Sequence, residues 1–348
     1  MLIFRGGFWR IREEPPPSFE TALKRVTAVI PARDEAAVIA QSLSSLVEQD
    51  YRGDLSIVVA DDHSSDGTAA IAHAAGAVVI PVAPLPSGWT GKLWALDHGL
   101  RYAQQFEPDY FLFTDADIVH APDNVRALVA RAESDSLDMA SLMVQLHCRS
   151  LAERVLIPAF VYFFFQLYPP RWIADQWRST AGAAGGCMLI RPAALARIGG
   201  IDAIRGELID DCALAARVKQ TGGKIWLGVT QSTHSVREYA TFREIFAMIS
   251  RTAFNQLHHS LVWLAATIFA ITILYLLPPF LPLRGGLAAW ILMTISYVPI
   301  LRFYRQPLFW APLLPVIAIF YMAATIHSSI RYWTGSGGVW KGRAQDVR

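Results

Sequence analysis

Short apolar runs of strand character alternate with segments of helical periodicity through the first 117 residues. RVTAVIPA (25–32) precedes a helical pattern from Asp34 or Glu35 to about Glu48. LSIVVADD (55–62) precedes a helix over Gly67 to Ala75, and AVVIPV (77–82) leads through the loop PLPSGWTGK to a helix from Leu93 to Gln105. The strand DYFLFTDAD (109–117) follows. Strands and helices alternating with short connections predict an α/β fold with a mostly parallel sheet and helices on both faces.

The pattern changes after Ser260. From there to Ile330 no acidic residue occurs, and three apolar stretches cover 260–283, 286–301 and 308–330. A spanning helix needs about 20 apolar residues, so the first and third suffice and the second is short. Pro278-Pro279, Pro312 and Pro315 predict kinks or broken ends in a helical membrane domain. A further run, Val155 to Tyr168, has the length of an interfacial or re-entrant segment, with the four aromatics Tyr162 to Phe165 in a row and Tyr168, Arg171 and Trp172 as headgroup-level anchors. A buried core helix is the competing reading. The opening MLIFRGGFWR and the prolines Pro15 to Pro17 make an arm too short to span, which Phe4, Arg5, Phe8, Trp9 and Arg10 would lay at the interface rather than in a signal peptide. The expected organisation is an arm over 1–25, an α/β domain over 26–257 with an interfacial segment at 155–172, about three membrane helices over 258–331 and a tail over 332–348.

Composition supports this division: 53% of the 348 residues are hydrophobic and 17% charged, with a mean hydropathy of +0.31, too apolar for an ordinary soluble domain. A net charge of +2 without a basic, aromatic-interleaved stripe gives no pointer to nucleic acid. Cys148, Cys187 and Cys212 lack the paired spacing of a zinc site or disulfide scaffold, which fits a reducing compartment.

The chemistry concentrates where strands end. Asp61-Asp62 in VVADDHSSDGT and Asp115-Ala116-Asp117 in FLFTDADIV each follow an apolar run, and the carboxyl ends of strands are where α/β sheets bind nucleotides. Crowded carboxylates need a compensating cation, and Mg²⁺ or Mn²⁺ shared with diphosphate oxygens supplies one; acidic caps on the following helices are the plainer alternative. Lys92 stands just before a helix start, where a cation and free N–H groups meet an anion.

The motifs VTAVIPARDE, VVADDHSSDGT, GKLWALDHG, TDAD, GGCMLIRPAAL with IGGID, and ELIDDCAL resemble, in order, those of family 2 inverting glycosyltransferases with the GT-A fold, over about residues 26 to 255. The N-terminal RGGFWR and the C-terminal apolar stretches are most similar to the hopene-associated members. The resemblance implies that Pro31, Arg33, Glu35, Asp62 and Asp66 contact the nucleoside, that Lys92 and Arg251 meet the donor phosphates, and that Asp115 and Asp117 form the metal-binding DXD motif. It further implies Asp211, paired with Asp210, as the general base for inversion; His234 is a candidate third metal ligand. Two departures stand out. The usual Glu-Asp pair is Asp210-Asp211, and of the Q/R-x-x-R-W sequence carried by processive relatives only Arg251 remains, which disfavours a polysaccharide synthase.

The expectation is therefore a metal-dependent enzyme moving a sugar from a UDP-sugar to a lipid, a hopanoid before a polyprenyl phosphate or other glycolipid precursor. Its place would be the bacterial inner membrane, multi-pass, with the catalytic domain in the cytoplasm. The basic tail, with Arg331, Lys341, Arg343 and Arg348, conflicts with three spans under the positive-inside rule. A non-catalytic nucleotide-sugar sensor is the alternative of another class, opposed by retention of Asp62, Asp117 and Asp211 together. The donor pocket is expected wholly within the first 255 residues.

Overall fold

The structure, a computed structural model, describes residues 2, 4–17, 23–281, 284–335, 339–340 and 343–344. Residues 18–22 of the expected arm, and Lys341 and Arg348 of the tail, lie outside the described residues. The chain divides into two compact units. One comprises Glu13–Leu146, Pro170–Arg237 and Trp340–Arg348; the other comprises Met1–Arg12, His147–Pro169 and Glu238–Val339.

In chain order the first unit begins β1 (Val26–Ala32), α1 (Ile39–Val47), β2 (Leu55–Asp61), α2 (Thr68–Ala74), β3 (Val78–Pro81), α3 (Gly91–Ala103) and β4 (Tyr110–Thr114). It continues through β5 (Ile118–Val119), α4 (Asn124–Ser134) and β6 (Met139–Gln145), after which α5 (Leu151–Leu167) belongs to the second unit. The chain returns with α6 (Pro170–Ala174), β7 (Cys187–Ile190), α7 (Pro192–Arg197), α8 (Asp210–Gln220) and β8 (Ile225–Ser235). The first helix starts at Ile39, later than the Asp34 or Glu35 expected, because residues 34–38 form a turn tied to the next loop.

The eight strands form one sheet in the order β3-β2-β1-β4-β7-β6-β8-β5. Pairing is parallel for β1 with β2 and β4, β2 with β3, and β6 with β8. It is antiparallel for β7 with β4 and β6, and for β5 with β8. The sheet is thus mixed rather than mostly parallel: β7 runs against both of its neighbours, β4 and β6, and β5 runs against β8. Alternation along β1 sends Ala28, Ile30 and Ala32 into a core shared with Leu43 of α1, Ala72 of α2 and Leu128 of α4. Val29 points to the other face, against α3, where a Cβ on Gly99 would lie 2.5 Å from its Cγ1. Helices therefore cover both faces, as expected.

Chain order places β2 and β3 on one side of β1 and β4 on the other, which makes the β1–β4 boundary the topological switch point where such sheets bind ligands. The β1–β4 ladder stops at Val29 opposite Phe113, while β1–β2 continues to Ala32 opposite Asp61. Pro31, with no N–H to give, sits just beyond that stop.

The second unit holds α5, α9 (Phe242–Thr252), α10 (Leu261–Ile271), α11 (Arg284–Phe303) and α12 (Leu314–Trp333). Its α5, which covers most of the expected interfacial segment, is packed along part of its surface. Tyr162 and Phe165 are buried; Tyr162 meets Phe8 and Tyr297 edge-on, each at 5.3 Å, and its hydroxyl shares a 2.7 Å hydrogen bond with Ser296. Phe163 contacts Tyr275 and Tyr321 at 5.5 and 4.9 Å. Four consecutive aromatics point to all sides of a helix, and a helix apolar all round is either a core helix or a membrane span. The arm's Phe8, 2% exposed, joins the same packing.

Among the described residues three helices are apolar enough by length and composition to cross a membrane, Leu151–Ala174, Gly285–Phe303 and Leu308–Trp333, and the bent pair Phe242–Leu257 and Leu261–Leu276 passes the same test taken together. The set adds Leu151–Ala174 to the expected stretches. Stretch 286–301 is part of a full helix, whereas 260–283 is interrupted by a π turn over Thr272–Leu276 and a 3-10 turn at Pro278–Phe280. His258 and His259, at φ of 52° and 53°, mark the break before it, where the helices Phe242–Leu257 and Leu261–Leu276 bend by 118°.

Candidate functional site

Two loops at the carboxyl ends of β1 and β2 are stitched together by side-chain hydrogen bonds. Ser64 accepts from the N–H of Asp34 at 2.9 Å, Asp34 accepts from the N–H of Ser65 at 2.9 Å, and Thr68 accepts from the N–H of Glu35 at 2.8 Å. Asp66 accepts from the N–H of Ala36 at 2.9 Å and from Thr68, whose hydrogen bond, the largest cause, holds its carboxyl below the usual range. These hydrogen bonds make it a brace of the loop pair. Pro31 is likewise placed in the sheet, buried in β1 opposite Ala60. Arg33 reaches across to Asp62, donating to its carbonyl at 2.6 Å, with the Asp62 carboxylate 3.4 Å away and 1% exposed.

Beneath the DXD turn, His120 fixes the end of β4. Thr114 donates to the carbonyl of Gly186 at 2.9 Å, so its oxygen accepts from His120 Nε2 at 3.0 Å, leaving Nδ1 to accept from Asn124 at 2.9 Å. Burial pushes this imidazole down to about 3, so it stays neutral and structural.

Lys92, on the first turn of α3 behind the cap Thr90, does not stand open for an anion. Its ammonium lies 3.0 Å from Asp115 and 3.0 Å from Asp210. Burial opposes its charge, yet Asp115, Asp210 and Asp211 together raise its pKa. Asp115 in turn is raised, first by burial and then by Asp117 and Asp210, against Lys92. Asp210 and Asp211 occupy the first turn of α8, where the helix dipole favours carboxylates. Asp211 accepts from the N–H of Gly185 at 2.8 Å and from that of Cys212 at 2.7 Å. Burial, then Asp210, pushes its carboxyl up to about 6, near the value a general base at neutral pH needs.

A second ionic cluster adjoins the first through Asp117. Arg237 donates to Asp117 Oδ2 at 3.0 Å and to Glu35 at 2.7 Å, and Ser235 adds a 2.8 Å bond to the same Asp117 oxygen. Sequence reading missed Arg237 and Ser235, although SVREY follows the singled-out His234 directly. His234 does not join the DXD pair. Side chains alternate along β8, and the buried Ser235 is the one aimed at Asp117, which leaves His234 on the other face with Nδ1 3.2 Å from the Ser232 carbonyl. Among the described residues no three His, Cys, Asp or Glu side chains are placed to hold a metal ion. Arg251 lies in the last turn of α9, in the other unit.

Five carboxylates, Glu35, Asp115, Asp117, Asp210 and Asp211, thus share one end of the sheet with Lys92 and Arg237. The excess of negative charge suits a hard divalent cation bound by one or two carboxylates and completed by substrate phosphate oxygens. Asp115 and Asp117 are the residues that would hold it.

Residues 27–199 match the sequence model of glycosyl transferase family 2. A 4,4'-diaponeurosporenoate glycosyltransferase of Staphylococcus aureus (strain MRSA252) is 35% identical over 108 residues, 30% of this chain and 28% of that relative. An uncharacterised protein of Methanocaldococcus jannaschii is 33% identical over 115 residues, 33% of this chain and 44% of the relative. The chain spans less than half the length of these curated relatives. Among solved structures, a mannosyltransferase from Pyrobaculum calidifontis in complex with GDP-Man and Mn²⁺ superposes with a TM-score of 0.53 at 18% identity, covering 93% of this chain and 92% of that one. Together the family-model match over residues 27–199 and the superposition support a GT-A-like fold with similarity to family 2; similarity to the hopene-associated members is not shown.

Proposed function

We propose that the chain is a membrane-bound inverting glycosyltransferase that moves a sugar from a nucleoside-diphosphate donor, a UDP-sugar in our reading, onto a hydroxyl-bearing lipid such as a hopanoid. The observation that carries this is Lys92, whose single ammonium ties the DXD carboxylate Asp115 to Asp210, next to the prospective base Asp211. Binding residues for the leaving group and the base for the attacking group are thus held in one site. Arg33, Asp62 and Glu35 line the switch point where the nucleoside would lie.

In the reaction the acceptor oxygen attacks the anomeric carbon as its bond to the diphosphate breaks, and the hydroxyl proton passes to Asp211. The hydrogen bonds from Gly185 and Cys212 orient that carboxylate. A divalent cation held by Asp115 and Asp117, Mn²⁺ as named for the Pyrobaculum structure or Mg²⁺, would neutralise the departing diphosphate.

Two features support a lipid acceptor. Among the described residues three helices are apolar enough to span a bilayer, and a relative is named for transfer to 4,4'-diaponeurosporenoate, a lipid-like acceptor. The inner bacterial membrane, with the catalytic unit in the cytoplasm, is the location we propose, since nucleotide sugars are made there. The test is incubation of the full-length protein in detergent with UDP-sugars, GDP-mannose and bacterial lipid extract, followed by mass spectrometry. A hexose added to a lipid, abolished by EDTA and by Asp117→Ala, is expected; no transfer from any donor, or full activity in excess EDTA, overturns the reading. The full chain is required because Tyr275, Tyr297 and Tyr321 pack on α5, so a truncation after His259 would strip that helix of its neighbours.

A further inference from the structure

The Asp117 carboxylate is nearly closed off, its side chain 9% exposed, and the group over it is the guanidinium of Arg237, 35% exposed. Arg237 spans from Asp117, at 3.0 Å, to Glu35, at 2.7 Å, and the oxygen it holds on Asp117 also receives the hydroxyl of Ser235. A divalent cation brought to the DXD motif would meet a positive charge already seated on one of its two carboxylates. Two cations cannot share that oxygen at hydrogen-bond and coordination distance without strong repulsion.

We propose that Arg237 is the resting counter-ion of the metal position, neutralising Asp117 and Glu35 until a divalent cation enters, and that it gives up Asp117 as the ion seats. Arg237 then sets how tightly the site takes a metal in the absence of donor. The planar fork suits the role because it bridges two carboxylates at once, which an ammonium on a flexible stem does less well. Lys92 performs the matching service for Asp115 and Asp210, but from the first turn of a helix. Arg237 follows the end of β8 in an irregular segment, where a side chain is freer to move away.

The inference rests on the metal-dependent reading above, and Mn²⁺ binding followed by electron paramagnetic resonance, on full-length protein without nucleotide, separates the two. Asp117→Ala serves as the control, and thermal melting confirms that each variant is folded. Arg237→Gln should bind Mn²⁺ at least about tenfold more tightly than the unaltered protein, from removal of a neighbouring positive charge. Arg237→Lys should also bind more tightly, by a smaller factor, because the charge remains while the two-carboxylate bridge is lost. Unchanged or weaker binding in Arg237→Gln would show that Arg237 orients Asp117 for the metal and would overturn the proposal. So would tighter binding in Arg237→Gln with no change in Arg237→Lys, since the effect would then be one of net charge alone. If Asp117→Ala binds Mn²⁺ as well as the unaltered protein, with and without UDP, the metal reading itself fails.

Discussion

The backbone N–H of Gly185 donates a 2.8 Å hydrogen bond to Oδ2 of Asp211. Gly185 is held by its neighbour: Ala184 exchanges hydrogen bonds of 2.8 and 3.1 Å with the Ser141 hydroxyl on β6. The bond orients the carboxylate and favours its ionised form, while burial and Asp210 push the other way, up to about 6.

An acid with that value is half ionised near pH 6, and only the ionised form accepts the acceptor's proton. The rate of transfer, as kcat/KM, should therefore be flat above about pH 7 and fall about tenfold per unit below about pH 6. Asp211→Asn should bind UDP with metal almost unchanged and turn over at least about a hundredfold more slowly. Isothermal titration and a lipid-transfer assay read the two quantities; a variant with normal turnover would reduce Asp211 to a helix-start residue.

Lys92 separates two carboxylates that would otherwise face each other. Lys92→Met should destabilise the metal-free protein by about 2 kcal/mol, since a partly buried ion pair loses one partner. The loss depends on pH with a defined sign. Without Lys92 the already raised Asp115 goes higher still, so the folded state binds a proton that the unfolded chain has released above about pH 4. Stability of the variant should thus fall as pH rises, and the deficit should be larger at pH 8 than at pH 5. Thermal melts at both values decide it, and an equal deficit would contradict the assignment.

The α/β unit was legible in the sequence because its determinants are local. An apolar run followed by Asp-Asp or Asp-Ala-Asp is a strand delivering carboxylates to a loop, and Asp62, Asp115, Asp117 and Asp211 do emerge at that end of the sheet. Long-range geometry was not legible. The direction of β7, the use of Lys92 as an internal counter-ion and the reach of Arg237 to Asp117, 120 positions earlier, depend on how distant segments meet. His234 illustrates the limit most closely: its residue type suits a metal, but a one-residue difference in strand register exchanges it for Ser235. In the helical part, hydropathy located the apolar stretches but not the partners that cover Tyr162 and Phe165.

Close approach of α3 to the sheet gives a prediction for the fold alone. A Cβ at position 99 would stand 2.5 Å from Val29 Cγ1 and 3.3 Å from Ala60 Cβ. Gly99→Ala gains helix propensity of about 1 kcal/mol, but overpacking a close-packed core costs about 1–3 kcal/mol. Net destabilisation should follow, seen as a lower melting temperature. Shrinking the obstacle in Val29→Ala/Gly99→Ala should make the two changes less harmful together than their sum. Additive losses would mean that Val29 is not what Gly99 avoids.

Glu153 supplies the corresponding prediction for the helical unit. Its side chain is wholly buried and ringed by donors: Oε1 accepts from His147 Nδ1 at 2.8 Å and from the N–H of Tyr239 at 2.7 Å. Oε2 accepts from the N–H groups of Arg149 and Ser150 at 2.9 and 2.8 Å. One carboxylate thereby closes the capping box of α5 and ties residues 147–150 to Tyr239, just before α9. Glu153→Gln keeps the size but turns an NH₂ toward donors on one side or the other, so at least one charge-assisted bond becomes a donor–donor clash. The cost should be about 2–4 kcal/mol, and Glu153→Asp, which keeps the charge but shortens the reach, should lose less. Because Glu153 touches none of the residues that bind donor or accept the proton, the remaining folded protein should bind UDP with unaltered affinity. Thermal melting in detergent with parallel UDP titration tests both halves: an unchanged melting temperature would show that the cage does not stabilise α5, and weakened UDP binding at low temperature would show that it reaches the donor site.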